Sequence, residues 1–174
     1  MTNDPAWPRE IFQALKQADV RQASYVPDAG HGRLIELLQA DPEIQATPLT
    51  TEEEGVALAA GAWLGGQRAV LLLQSSGVGN CINMLSLAAS CRFPLLMLVT
   101  MRGEWAEFNP WQIPMGRATP DVLESMGVTA VRVDAPEDAG EVVAAAAAAA
   151  FAGDQAMAVL LSQRLIGRKQ WEAR

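Results

Sequence analysis

The chain has 174 residues, 50% hydrophobic and 19% charged, which excludes a disordered polymer and predicts one domain with a large core. Asp and Glu number 20 against 13 Lys and Arg, a net charge of −7. That balance excludes a phosphate-tracking nucleic-acid surface and adhesion to anionic lipid.

In chain order, the periodicity predicts a helix over 7–18, a strand over 23–26, and a turn at Pro27-Asp28-Ala29-Gly30-His31-Gly32. A helix over 33–40 and a strand over 44–49 follow. The next helix, 52–64, is apolar on all sides, which predicts full burial. Residues 69–74 and 94–100 are continuous apolar runs, the pattern of strands buried on both faces. A helix over 78–90 lies between them. Residues 102–117 have no clear period and are expected as a loop. A short helix over 119–126 then has Pro120 in its first turn. A strand over 130–133, a helix over 137–152 carrying seven consecutive alanines, and a strand over 156–161 complete the pattern. This alternation implies an α/β fold: a doubly wound, mostly parallel six-stranded sheet with helices on both faces. Residues 1–165 are expected as a single domain and 166–174 as an exposed basic tail.

No apolar stretch reaches the roughly 18 residues of a spanning helix. The polar start MTNDPAWPRE has no signal-peptide core, so a cytoplasmic chain is expected. Cys81 and Cys91 would lie about 15 Å apart on one helix, too far to bridge, and are expected as reduced core thiols. With one histidine beside them, no metal site of the usual ligand types is expected.

Open parallel sheets bind ligands beyond the carboxyl ends of their strands, so the segments after the predicted strands matter most. Ser75-Ser76-Gly77-Val78-Gly79-Asn80 has Gly-x-Gly, but Ile82 stands where a dinucleotide fingerprint needs its third glycine. A Gly-Lys-Ser/Thr ending is also absent. The segment reads either as a close-packing turn or as a loop offering N–H groups, Ser and Asn to a ligand. Thr51-Glu52-Glu53-Glu54 starts a helix. Thr51 with Glu54 fits a capping box, yet the apolar helix behind them predicts at least one partly buried carboxylate, suited to proton transfer. Periodicity does not say which.

The segment Glu52-Glu53-Glu54-Gly55-Val56-Ala57-Leu58-Ala59-Ala60-Gly61-Ala62 resembles the pyrimidine-binding domain of thiamine-diphosphate enzymes, whose catalytic glutamate precedes a helix glycine by nine positions. Glu52 with Gly61 fits that frame, and Glu53 and Glu54 do not. Val26-Pro27-Asp28, the stretch from Gln74 to Asn83, and Arg102-Gly103-Glu104 look like the 2-oxo-acid decarboxylases for sulfopyruvate and phosphonopyruvate. Gln112-Ile113-Pro114-Met115-Gly116-Arg117 looks more like the α subunit of the sulfopyruvate enzymes. In place of the Ser-Leu-Leu-Lys-like residues that follow Pro-Asp in the phosphonopyruvate enzymes, this chain has Ala29-Gly30-His31-Gly32-Arg33.

The resemblance implies that Glu52 hydrogen-bonds the aminopyrimidine of thiamine diphosphate and that Pro27, Ser76, Gly77 and Asn80 help to bind the cofactor. It implies decarboxylation of an anionic 2-oxo acid such as sulfopyruvate, giving sulfoacetaldehyde and carbon dioxide, or of phosphonopyruvate. His31, Arg33, Asn80, Asn83, Arg102, Gln112 and Arg117 are the candidates for holding the substrate's far anion, Arg being the natural partner. The family's Gly-Asp-Gly motif for the diphosphate and Mg²⁺ is absent; Gly153-Asp154-Gln155 fails. A β subunit carrying the diphosphate-binding domain is therefore implied, holding Mg²⁺ and sharing the cofactor in a hetero-oligomer. Self-association through the apolar face around Glu52 is also expected. A non-catalytic assembly subunit and a nucleotide-binding α/β module are the alternatives. The retained glutamate frame argues against the first and the failed glycine fingerprint against the second.

Overall fold

The computed structural model describes residues 5–167. Strands β1 (Val20–Tyr25), β2 (Gln45–Pro48), β3 (Arg68–Gln74), β4 (Leu95–Thr100), β5 (Thr129–Val133) and β6 (Ala156–Leu161) form one sheet in the order β2-β1-β3-β4-β6-β5. Every neighbouring pair is parallel, so the expected sheet is found, and it is parallel throughout.

Alternation along the strands divides the core into two layers. Val70 and Leu72 of β3, with Leu96 and Leu98 of β4, pack against α1 (Trp7–Gln17), α2 (Gly32–Ala40) and α6 (Ala139–Gly153). Leu71, Leu73, Met97 and Val99 face the other way, onto α3 (Glu53–Leu64), α4 (Ser75–Cys91) and α5 (Ile113–Ser125). Both faces being covered, β3 and β4 are apolar at nearly every position. The edge strands β2 and β5 are partly exposed and carry Gln, Thr and Arg. The alanine run lies in α6, where Ala146, Ala147 and Ala150 are buried. A single turn, α7 (Gln163–Ile166), follows β6 and is capped by Ser162 Oγ, which accepts from Leu165 N. It was not expected from the sequence. Of the expected basic tail, residues 168–174 lie outside the described residues.

Several expectations are corrected. Helix α4 begins at Ser75, immediately after β3 ends at Gln74; no loop intervenes, so Ser75-Ser76-Gly77 form a helix N-terminus. Helix α5 begins at Ile113 after a 3-10 turn at Pro110–Gln112, so Arg117 is helical and Pro120 lies inside the helix. The two prolines at 110 and 114 occupy helix starts and mask the period. Helix α3 is buried on one face only: Val56, Ala59 and Ala62 are covered, while Ala57 and Gly61 are exposed and Leu64 is 87% exposed. The predicted Thr51–Glu54 capping box is not formed; Glu54 Oε2 accepts from Thr50 N at 2.9 Å, one residue earlier. Cys81 is a core thiol, but Cys91 is exposed.

Candidate active site

The connections reverse between β1 and β3. The chain leaves β1 toward α2 on one face and leaves β3 toward α4 on the other. Such a reversal is the place where open parallel sheets take ligands, beyond the carboxyl ends of their strands. Glu52 reaches this place because β2 ends at Pro48 and only 49–52 separate that strand from α3. Leu49 N still donates to Tyr25 O at 2.8 Å, which ties this link to the end of β1.

Of the three consecutive carboxylates, Glu53 and Glu54 are exposed and Glu52 is buried. Glu52 Oε2 accepts from Asn80 Nδ2 of α4 at 2.7 Å. Its Oε1 has no hydrogen bond among the described residues. Gly77, in the first turn of α4, makes the room: a Cβ there would stand 2.5 Å from both Cγ and Oε1 of Glu52. The carboxylate therefore rests against bare backbone at the amino end of a helix, where partial positive charge collects. Cys81, one turn further along α4, is a neutral thiol: burial, then the charges of Glu52 and Glu53, push it up to about 12.

A second group of side chains lies beyond the carboxyl ends of β1, β4 and β6. A cavity of about 250 Å³ is lined by Asp28, Gly30, Arg102, Phe108, Gln163 and Gly167, among others. Asp28 Oδ2 accepts from Thr100 Oγ1 at 2.7 Å and from Gly30 N at 3.2 Å. Arg102 donates through Nε and Nη2 to both oxygens of Glu107, at 2.9 and 2.6 Å. Glu107 also accepts from the amides of Gly103 and Asn109 and from Gln163 Nε2. Burial works to raise the Glu107 carboxyl, but Arg102 and these amides outweigh it and hold it at about 2. Gln163 Oε1 accepts from the amides of Glu104 and Trp105, so α7 clamps the loop. Helix α5 approaches from the other side, where a Cβ on Gly116 would overlap Arg102 O at 1.9 Å.

Pro27 is exposed, Ser76 half-buried and Gly77 buried, the first beyond β1 and the others at the start of α4. His31 is fully buried beneath the strand ends rather than on an open turn. Its Nε2 lies 3.0 Å from Leu98 O and 3.2 Å from Leu73 O. Both are acceptors, so Nε2 carries the proton, and Nδ1 has no partner among the described residues. Burial pushes the imidazole below its ordinary range, against the charge of Asp28. Arg33 pairs with Glu36 at 2.8 Å. Gln112 is buried, with Nε2 3.3 Å from Gln74 Oε1. Asn83 and Arg117 are exposed on α4 and α5. The structure thus joins Glu52, Gly77 and Asn80 in one contact set. It commits the Arg102 guanidinium to a carboxylate of its own chain. Sequence reasoning missed Asp28, Glu107 and Gln163. Asp28 had a signal, its place directly after a strand; the other two act through an irregular loop. Among the described residues no three His, Cys, Asp or Glu side chains cluster as a metal site, and no helix is long and apolar enough to cross a membrane.

Residues 9–108 match the family described as thiamine pyrophosphate enzyme, N-terminal TPP binding domain. The sulfopyruvate decarboxylase subunit alpha of Methanothermobacter thermautotrophicus is 36% identical over 152 residues, which is 87% of this chain and 92% of that one. A phosphonopyruvate decarboxylase of Streptomyces viridochromogenes is 36% identical over 117 residues, 66% of this chain and 30% of that one. The solved structure of a 2-oxoglutarate:ferredoxin oxidoreductase from Magnetococcus marinus superposes with a TM-score of 0.73 at 12% identity, over 92% of this chain and 29% of that one, a likeness of fold.

Proposed function

The chain belongs to the thiamine pyrophosphate enzymes, as an alpha-type subunit of a decarboxylase, and from that premise we propose that it acts on an anionic 2-oxo acid such as sulfopyruvate, releasing carbon dioxide and sulfoacetaldehyde. The observation that carries this reading is the Glu52 carboxylate, withdrawn from water at the switch point with Oε1 uncommitted. The bare α-carbon of Gly77 beside it is a cradle that a side chain would fill, and these residues fit an aminopyrimidine ring.

Glu52 is the catalytic residue: Oε1 gives a proton to the aminopyrimidine and takes it back. Pro27, Ser76 and Gly77, at the ends of β1 and β3, would hold the ring. Thiamine diphosphate, when bound, supplies a thiazolium that accepts the electrons released as the carboxylate carbon departs. Glu52 is 7% exposed, so little bulk water competes for its proton. The diphosphate and Mg²⁺ belong to a β subunit, since the sequence has no Gly-Asp-Gly; the cofactor is then shared across the subunit contact. The exposed Trp105, Phe108 and Trp111, and Leu64 on α3, are apolar surface suited to that contact and to self-association. The assembly works in the cytoplasm, in keeping with the free thiols Cys81 and Cys91.

The test is release of carbon dioxide from sulfopyruvate, phosphonopyruvate and pyruvate, by the chain alone and with a β-type subunit that carries Gly-Asp-Gly. Turnover of an anionic 2-oxo acid only by the pair is expected. Turnover by the pure chain rules out the shared site, and no turnover of any acid by the pair rules out the decarboxylase.

A further inference from the structure

An amide –NH₂ can only donate. Asn80 Nδ2 lies 2.7 Å from Glu52 Oε2, so that oxygen is held as an acceptor, and a proton placed on it would weaken the bond. The other oxygen, Oε1, stands against the Gly77 α-carbon with no competing donor. The two carboxylate oxygens, chemically equal in a free glutamate, are thereby made unequal.

We propose that Asn80 is a positioning residue that pins Glu52 Oε2 and confines the exchangeable proton of this carboxyl to Oε1. The proposal rests on the reading of Glu52 given above. It moves Asn80 from the ring of substrate and cofactor contacts to the support of the catalytic group. Asn80 lies one helical turn beyond Ser76 on α4, so the same helix that cradles Glu52 through Gly77 also fixes its rotation. The titratable neighbours are Glu53, next along the chain, and Cys81, next on α4, whose thiol feels the charge of both glutamates. Cys81 stays neutral throughout the working range, which leaves Glu53, common to every variant below.

The experiment compares the parent with Asn80→Ala, Asn80→Asp and Glu52→Gln in the assembled enzyme, and follows the Glu52 carboxyl by carbon NMR in the chain alone. Loss of a hydrogen bond to a charged group predicts a kcat about 10- to 100-fold lower for Asn80→Ala, with KM for the 2-oxo acid changed less than about 2-fold. Asn80→Asp places a second carboxylate against Glu52, and two such groups cannot both ionise at low cost. The acid limb of its pH profile and the NMR midpoint of Glu52 both move up relative to the parent. Circular dichroism stays that of the parent. A loss confined to KM overturns the proposal and makes Asn80 a substrate ligand. Parent-like kcat and an unmoved Glu52 midpoint in both Asn80 variants also overturn it, provided Glu52→Gln is inactive. If Glu52→Gln retains full activity, the reading of Glu52 itself fails, and the NMR midpoints then judge the Asn80 contact independently.

Discussion

Arg102 and Glu107 form a two-pronged ion pair, 2.9 and 2.6 Å, with their side chains only 9% and 3% exposed. A cation that the sequence offers as an anion anchor is thus neutralised by its own loop five residues on.

Removing one partner of such a pair leaves a buried charge alone and costs about 3–5 kcal/mol. Glu107→Gln is expected to destabilise the fold by that order and to loosen residues 102–109, read by urea unfolding and by hydrogen exchange at Gly103 and Asn109. The pH dependence has a definite sign. Glu107 is depressed from 4.5 to about 2, so its contribution is complete above the unfolded value and lost as pH falls from about 4.5 to about 2. Parent and variant should converge in stability near pH 2. A gap unchanged between pH 7 and pH 2 would refute the ion-pair account.

Gly77→Ala separates stability from chemistry. Alanine is a better helix residue by roughly 1 kcal/mol, and the group it meets is the end of a flexible glutamate. Thermal unfolding should therefore shift little, while Glu52 is pushed out of its cradle and turnover falls by about 10²-fold or more. A fully active Gly77→Ala enzyme would show that the observed placement of Glu52 is not the working one.

The three carboxylates of Glu52–Glu54 are distinguished by exchange of the C2 proton of bound thiamine diphosphate. Glu52→Gln keeps size but cannot pass a proton, so exchange should slow by about 10²–10⁴-fold. Glu53→Gln should lose at most about 1 kcal/mol of helix-dipole interaction. Glu54→Gln should also be mild, because a glutamine oxygen can still accept from Thr50 N. A slow Glu53 or Glu54 variant beside a fast Glu52 variant would move the catalytic register.

His31 is the one histidine in the sequence, which makes its titration readable in isolation. Burial lowers it, so the unfolded chain takes up a proton first as pH falls below about 6.5. Stability from the neutral ring is present above that value and declines below it, by up to about 1.4 kcal/mol per pH unit. Guanidinium midpoints of the parent should fall more steeply between pH 7 and 5 than those of His31→Gln. Parallel curves would mean that the imidazole titrates alike in both states.

The fold was legible where burial is symmetrical. The runs in β3, β4 and β6 are apolar because both faces are covered, and the helical patterns between them fix the alternation. Its distance from Gly61 singles Glu52 out of three carboxylates, and Glu52 is the buried one, although that glycine has open space around it and Gly77 is the one that touches Glu52. The start of α5 was hidden by Pro110 and Pro114, which interrupt a period while being well suited to first turns. His31 sits in a polar, glycine-rich turn, and nothing local reveals that the strand ends cover it. Glu107 is tied to Gln163, 56 residues away, as well as to Arg102, and no spacing rule encodes the contact with Gln163.

The position of β6 has a consequence for synthesis. The last strand along the chain is not at an edge; it lies between β4 and β5 and pairs with both. Four strands, β2-β1-β3-β4, are complete once residue 100 has left the ribosome, but β5 finds its one partner among the described residues when 156–161 follow. A nascent chain halted between these points exposes the long edge of β4, whose six residues are all apolar but Thr100. Such an edge is a template for pairing with other chains. Late truncation should therefore cost solubility before it costs any residue of the Glu52 site.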